Sequence, residues 1–205
     1  MRLVSRCTMI IFLLLCCGIP PLFPADRDSV TFTITADSEV YYTADVRIAL
    51  VTTSTVKGVN NNINGTIEWI SSDLRTEVYA DITIDAAEFD SGNSRRDRDV
   101  REILNVEEFP YITFELQSIL GMANKSLTEI SGEYVATGLL TVKGRTKELT
   151  IPIQMDYTGG VLTAEGSTAA KYTDFSIDPP RVAGFVSRSP DELRLHVKLI
   201  AKRKE

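Results

Sequence analysis

The chain alternates. Over Thr76–Ala86, Val78, Ala80, Ile82, Ile84 and Ala86 fall on one face, and Glu77, Tyr79, Asp81, Thr83 and Asp85 on the other. Lys147–Tyr157 repeats this, with Leu149, Ile151, Ile153, Met155 and Tyr157 opposed to Glu148, Thr150, Gln154 and Asp156. Near the end, Leu193, Leu195, Val197 and Leu199 oppose Arg194, His196 and Lys198. A period of two with one apolar face predicts antiparallel strands with one side in water. Weaker runs occupy Val30–Thr35, Glu39–Val51, Asn64–Ile70, Tyr111–Ser118, Glu133–Val142 and Val161–Thr173. About eight or nine strands result, several joined by turn signals such as Lys143-Gly144 and Thr158-Gly159-Gly160.

One stretch departs from the period of two. After Ser91-Gly92-Asn93 the pattern turns helical from Arg96, with Val100, Ile103 and Leu104 on one side. Asp97–Arg101 and Arg98–Glu102 are spaced for i,i+4 ion pairs. Phe109-Pro110 ends the helix, because a residue before proline is pushed out of the helical region. The elements predict an all-β antiparallel barrel or sandwich with one short helix inserted between two strands. A barrel of about eight strands is either filled by its own side chains or holds one small ligand.

The N-terminus stands apart. Arg2 and Arg6 precede an apolar run, Met9–Cys17, and Phe23-Pro24-Ala25 leads into Asp26. A charged start, a short apolar stretch and a small residue near the exit describe a secretory signal peptide. The run is too short to span a bilayer. Residues 1–25 are therefore expected to be removed, leaving one domain over 26–205. Cutting after Gly18 is the alternative, and the bulky residues before Cys16 and Cys17 argue against lipidation there.

Removal changes the chemistry on offer. Cys7, Cys16 and Cys17 all leave with the leader, so the mature chain has no thiol and no disulfide. The 22 basic residues become 20 against 28 acidic ones, a net charge of −8. That balance argues against a binder of the nucleic-acid phosphate backbone. His196 is the one histidine, so a multi-histidine metal site is excluded. A Ser-His-Asp triad would have to use it, yet alternation turns His196 outward. The expectation is a protein that is not an enzyme and has no metal or cofactor. An outer-membrane barrel would need an apolar exterior, whereas the outer faces carry Glu148, Gln154, Asp156, Arg194 and Lys198. No integral membrane span is expected in the mature chain.

Three blocks resemble the YceI-like family of exported lipid-binding barrels. The first is Ser91-Gly92, then Arg96-Asp97 and Val100, leading to Glu108-Phe109-Pro110-Tyr111-Ile112-Thr113-Phe114. The second is Gly138-Leu139-Leu140-Thr141-Val142-Lys143-Gly144-Arg145-Thr146-Lys147. The third is Asp174-Phe175-Ser176-Ile177 with Pro179-Pro180, then Asp191-Glu192-Leu193-Arg194-Leu195. Departures mark a divergent branch. Ser176 stands where the family pattern has glycine, Tyr172 where many members have arginine, and the N-terminal His-x-Gly strand is missing.

The resemblance spans most of residues 30–203 and implies a lipocalin-like barrel with a nonpolar tunnel. Its ligand would be a polyisoprenoid, an isoprenoid quinone or a fatty-acid-like chain, held for transport or sequestration in the periplasm or outside the cell. It also implies that a second copy, in a homodimer, is among the partners. On that reading Trp69, Phe114, Val142, Ile151, Ile153 and Phe175 are the expected tunnel lining, and Arg96 and Asp97 the expected headgroup contacts at the mouth. The plainer reading of the first set is a filled core, and of the second a solvated helix start. Asp174 with Phe175 would close a barrel end or pair with Arg181. The alternative function is an exported module that binds a protein or polysaccharide through an exposed aromatic patch, with Tyr41, Tyr79 and Tyr172 as its outward candidates.

Overall fold

The structure is a computed structural model that describes residues 28–48, 52–71, 76–122, 125–180 and 190–204. The expected signal peptide, all three cysteines and Arg181 lie outside the described residues. In chain order the elements are β1 (Asp28–Ile34), β2 (Glu39–Ile48), β3 (Thr52–Asn60), β4 (Ile63–Ser71), β5 (Thr76–Asp85), α1 (Ser94–Leu104), β6 (Tyr111–Leu120), β7 (Ser131–Val142), β8 (Arg145–Thr158), β9 (Val161–Lys171) and β10 (Glu192–Arg203). Every pairing between them is antiparallel, in the order β1-β4-β5-β6-β7-β8-β9-β10-β2-β3, and β1 closes the ring by pairing with β10.

Ten strands make an eight-stranded wall. β10 pairs with β1 through Ala201–Arg203 and with β2 through Leu193–Lys198, along one edge. β1 and β2 are therefore two halves of one interrupted strand. β4 lies on β1 and β3 on β2, so the neighbouring wall strand is split in the same way. The all-β, lipocalin-like barrel with one inserted helix is the fold observed.

Side chains satisfy the backbone where these strands break. Residues 35–38 face only Leu199 and Ile200. The buried Ser38 Oγ accepts from Ile200 N–H at 2.9 Å, and the hydroxyl donates to Ile200 O at 3.2 Å. Asn61 Nδ2 donates to Ser38 O at 3.0 Å. On the second strand the buried Asn60 donates from Nδ2 to Asp85 O at 2.7 Å and accepts Asn62 N–H at 2.8 Å. An unpaired buried amide or carbonyl would be costly, so these polar residues permit the interruptions.

Three boundaries differ from the pattern reading. The run expected as Glu39–Val51 ends at Ile48, and Thr52–Asn60 returns along it as a separate strand. That strand, TTSTVKGVN, has no apolar face for periodicity to detect. β9 stops at Lys171 because Tyr172–Phe175 turns into a short 3-10 helix. α1 starts at Ser94, before Arg96, because the Asn93 side chain accepts from the Arg95 and Arg96 amides, both at 3.1 Å. It ends at Asn105, in the left-handed region at φ 53°, rather than at Pro110.

Neither expected i,i+4 ion pair closes among the described residues. Asp97 instead accepts from Ser91 N–H at 2.9 Å and Ser91 Oγ at 2.6 Å. Arg101 donates to Ala87 O at 3.4 Å. The helix is tied to the loop before it and to the β7–β8 hairpin. Lys143 Nζ donates to Ile103 O at 3.0 Å, and Phe109 lies against Gly144. Lys143 and Gly144 have φ of 50° and 68°, as a two-residue primed hairpin turn demands.

Candidate functional site

The barrel has one packed end and one open end. At the packed end, inward side chains of β1, β4 and the segment before β7 leave no space. Phe32, Trp69 and Ile130 are 0%, 1% and 1% exposed. Phe32 meets Tyr157 edge-on, with ring centroids 5.8 Å apart. From this floor toward the other end runs a cavity of about 680 Å³. Its wall is apolar, including Ile67 and Val78 low in the barrel and Leu140, Ile151, Val197 and Leu199 higher up. Alternation puts these side chains inside, and small residues among them leave the volume unfilled. Ala80, Ala136, Ala164 and Thr168 line the cavity at positions where a larger residue would fill it.

At the open end the wall is made by α1, the β2–β3 hairpin and the 3-10 turn. Val100, Ile103 and Leu104 line the cavity, yet no α1 residue is buried. An amphipathic helix normally buries its apolar stripe against a core. Here Ile103 and Leu104 pack only partly against the core, and the stripe also borders the cavity.

Tyr42 and Tyr172 also face the cavity. Tyr42 leans on Phe89, with ring centroids 5.7 Å apart, and lies over Gly58. A Cβ at residue 58 would strike the Tyr42 ring, which is why the opposing strand carries glycine there. Burial pushes both phenols up. For Tyr42 the Arg96 charge opposes that shift and Asp97 adds to it. Tyr172 is pushed to about 12, by burial first and by Tyr42 second. Both stay neutral at any physiological pH.

The expected lining residues divide. Phe114, Val142, Ile151, Ile153 and Phe175 are brought together around the cavity, and Arg96 stands at its rim. Trp69 is not among the lining residues; it is part of the packed floor, and its indole N–H has no hydrogen-bond partner among the described residues. Asp97 is not at the mouth either, because Ser91 holds its carboxylate within the loop. Arg96 donates only to Ser91 O, at 3.4 Å, and no carboxylate lies within ion-pair reach of it among the described residues. Asp174 pairs with Lys147 at 3.2 Å.

His196 faces outward, stacked on Tyr41 with centroids 4.2 Å apart and Thr43 Oγ1 3.4 Å from Nε2. Burial lowers its pKa, and Arg194 and Lys57 lower it further. Tyr172, expected outside, faces inward, and Tyr41 is covered by His196 and by Lys57, whose Nζ is 3.8 Å from the ring centroid. Of the three tyrosines, Tyr79 alone stands exposed as expected.

Sequence reasoning missed Tyr42, Phe89 and the apolar stripe of α1 as lining. Tyr42 was readable, because it shares the phase of Val40, Ala44 and Val46, opposite Glu39, Tyr41, Thr43 and Asp45. The inward alanines and Thr168 were a readable signal of unfilled volume.

Comparison with family profiles matches residues 26–201 to the YceI-like domain. The chain belongs to the YceI-like family. Solved structures share the fold. BcnA of Burkholderia cenocepacia superimposes with a TM-score of 0.64 at 21% identity, covering 82% of this chain and 99% of that one. A polyisoprenoid binding domain from Saccharophagus degradans, implicated in plant cell wall breakdown, gives 0.63 at 11% identity, covering 86% and 100%. The Campylobacter jejuni YCEI protein gives 0.59 at 19% identity, covering 78% and 91%. No curated protein sequence matches. Against this YceI-like fold, the αL residue Ser176, at φ 56°, explains why the family pattern has glycine there.

Proposed function

We propose that this YceI-like chain holds a long apolar molecule in the barrel: a polyisoprenoid, an isoprenoid quinone or a fatty-acid-like chain. It carries or sequesters that molecule through an aqueous compartment outside the cytoplasm, after export on the leader read over residues 1–25. The supporting observation is the apolar cavity of about 680 Å³, floored by Trp69 and Phe32 and open under α1. Its size falls within the range of small-molecule sites, roughly 300–1,000 Å³. Each methylene moved from water into such a wall contributes about 0.8 kcal/mol, so a long chain binds without catalytic or metal chemistry. The binding assigned to the Saccharophagus domain agrees with this reading. Among the described residues no helix is long and apolar enough to cross a membrane. The strand exteriors expose Glu68, Asp81, Glu115, Glu133 and Glu148, which suits water rather than lipid around the barrel.

The test is native mass spectrometry of the purified protein, before and after solvent extraction, then after incubation with a polyprenol and with an isoprenoid quinone. One lipid per barrel, retained or taken up, is the expected result. A protein that yields no lipid and takes up neither probe overturns the proposal.

A further inference from the structure

The two halves of α1 are held differently. At the C-terminal end Lys143 Nζ donates to Ile103 O at 3.0 Å, Arg101 donates to Ala87 O at 3.4 Å, and Phe109 lies against Gly144 of the β7–β8 hairpin. The Lys143 ammonium also meets the negative end of the helix dipole. Ile103, Leu104 and Val106 pack partly on the core there. The N-terminal half makes its hydrogen bonds to its own loop. Asn93 caps the Arg95 and Arg96 amides, Asp97 accepts from Ser91, and Arg96 donates to Ser91 O. Arg95, Arg98 and Asp99 are exposed.

The strand that borders this half is open on one side. β3 pairs with β2 along one edge. On its other edge only Val59 has a backbone partner among the described residues, Asp90, through two bonds of 2.8 Å. Ser54 and Val56 of β3 line the same cavity as Arg95, Arg96 and Val100 of α1. Yet among the described residues no hydrogen bond or ion pair joins the two elements; Thr55 and Lys57 turn back to Asp45 and Glu39 on β2. A separate polar cleft of about 560 Å³, lined by Lys57 and Val59 of β3 and by Ser91 and Gly92, parts β3 from the root of α1. Gly92 has φ 72°, and nothing lies within 4 Å of where a Cβ would sit. The loop has room to turn there.

Resting on the proposed function, we infer that α1 is a hinged lid over the barrel mouth. Its N-terminal half swings away from the free edge of β3, turning about the C-terminal anchor on the β7–β8 hairpin, and cargo passes through the gap. Lys143 is the positioning residue. Its bond to Ile103 O fixes the direction of the helix and so holds the free half over the mouth. Lys143 does not line the cavity, so it touches no cargo. The bond is the same whether the barrel is empty or loaded. It therefore sets how fast cargo crosses, and not how tightly cargo is held.

Stopped flow times the loading of a fluorescent fatty acid into the full-length protein, and its release on a chase with unlabelled fatty acid. If the protein takes up only an isoprenoid quinone, quenching of its single tryptophan, Trp69, times the same two steps. Lys143→Asn removes the ammonium and keeps the hairpin, because Asn-Gly is a favoured pair for a primed turn. Thermal unfolding checks that the variant is folded. Both rates should rise roughly fivefold, the equivalent of one lost hydrogen bond, with Kd within twofold of wild type. Lys147→Asn is the control. It removes the same charge at the same end of the barrel, but its partner is Asp174 on the 3-10 turn, so both rates should stay at the wild-type values. Unchanged rates in Lys143→Asn overturn the lid. A change confined to one rate overturns it as well, since Lys143 would then act on the holding of cargo. Equal acceleration in the two variants traces the effect to charge and also overturns it. These three outcomes spare the proposed function. A wild-type protein that takes up neither the fatty acid nor the quinone overturns that function, and the lid with it.

Discussion

The two ends of this barrel are built from similar residues to opposite effect. At the floor, Phe32, Trp69 and Ile130 interlock until almost none of their surface is left. Under α1, Val100, Ile103 and Leu104 point the same way, toward the barrel axis, yet border the cavity and none is fully buried. The difference lies in what stands opposite. Large side chains answer each other at the floor, whereas alanine and threonine on β5, β7 and β9 leave the middle of the barrel empty. Close packing is concentrated at one end, and open volume at the other.

Truncation is the strongest way to break that contrast. Trp69→Ala should cost about 3–5 kcal/mol of unfolding free energy, as large core truncations do. Val100→Ala should cost less than about 1 kcal/mol, since its methyls face space rather than neighbours. Chemical denaturation of the two variants without added lipid decides this, and equal losses would erase the distinction. Filling the void is the next test. Ala136→Phe places a ring in the cavity and should lower lipid uptake at least tenfold. Its stability should stay within about 1 kcal/mol of wild type, whereas overpacking a filled core costs roughly 1–3 kcal/mol.

Alkali sharpens the contrast at the open end. Because Tyr172 is pushed to about 12 when folded, the unfolded chain ionises first as pH rises past about 10. Folded stability should therefore fall between pH 10 and 12 and then level off. The melting temperature of Tyr172→Phe should lose less across that window, and an identical decline in both proteins would count against a buried phenol. The smallest effect concerns the turn that carries Phe175. Ser176→Gly relieves an αL residue and should stabilise the protein by about 0.5–1 kcal/mol, read as a higher denaturant midpoint.

Much of the wall was legible from alternation. The inward sets of β5, β8 and β10 are those the sequence predicts, because one face of each is cleanly apolar. β3 was illegible for the converse reason: Ser54, Val56, Gly58 and Asn60 give no apolar stripe. Of the residues expected to line a tunnel, Phe114, Val142, Ile151, Ile153 and Phe175 stand around the cavity. Trp69 was misplaced, since periodicity gives the face of a strand but not the height along the barrel axis. Asp97 was misplaced because a loop partner six residues upstream, Ser91, has no periodic signature. Tyr172 was put outside although it shares the phase of Leu162, Ala164, Thr168 and Ala170, the inward positions of β9.

A floor at one end has a kinetic consequence under the proposed function. Loading and unloading share a single passage, so whatever enters tail first departs head first, and the tail is the last part to regain water. Each added isoprene unit lengthens the stretch that must be drawn past α1 before release. Entry needs only the first few carbons to find the mouth. Cargo of different lengths should then load at similar rates and dwell for very different times, making the barrel's depth a ruler for residence.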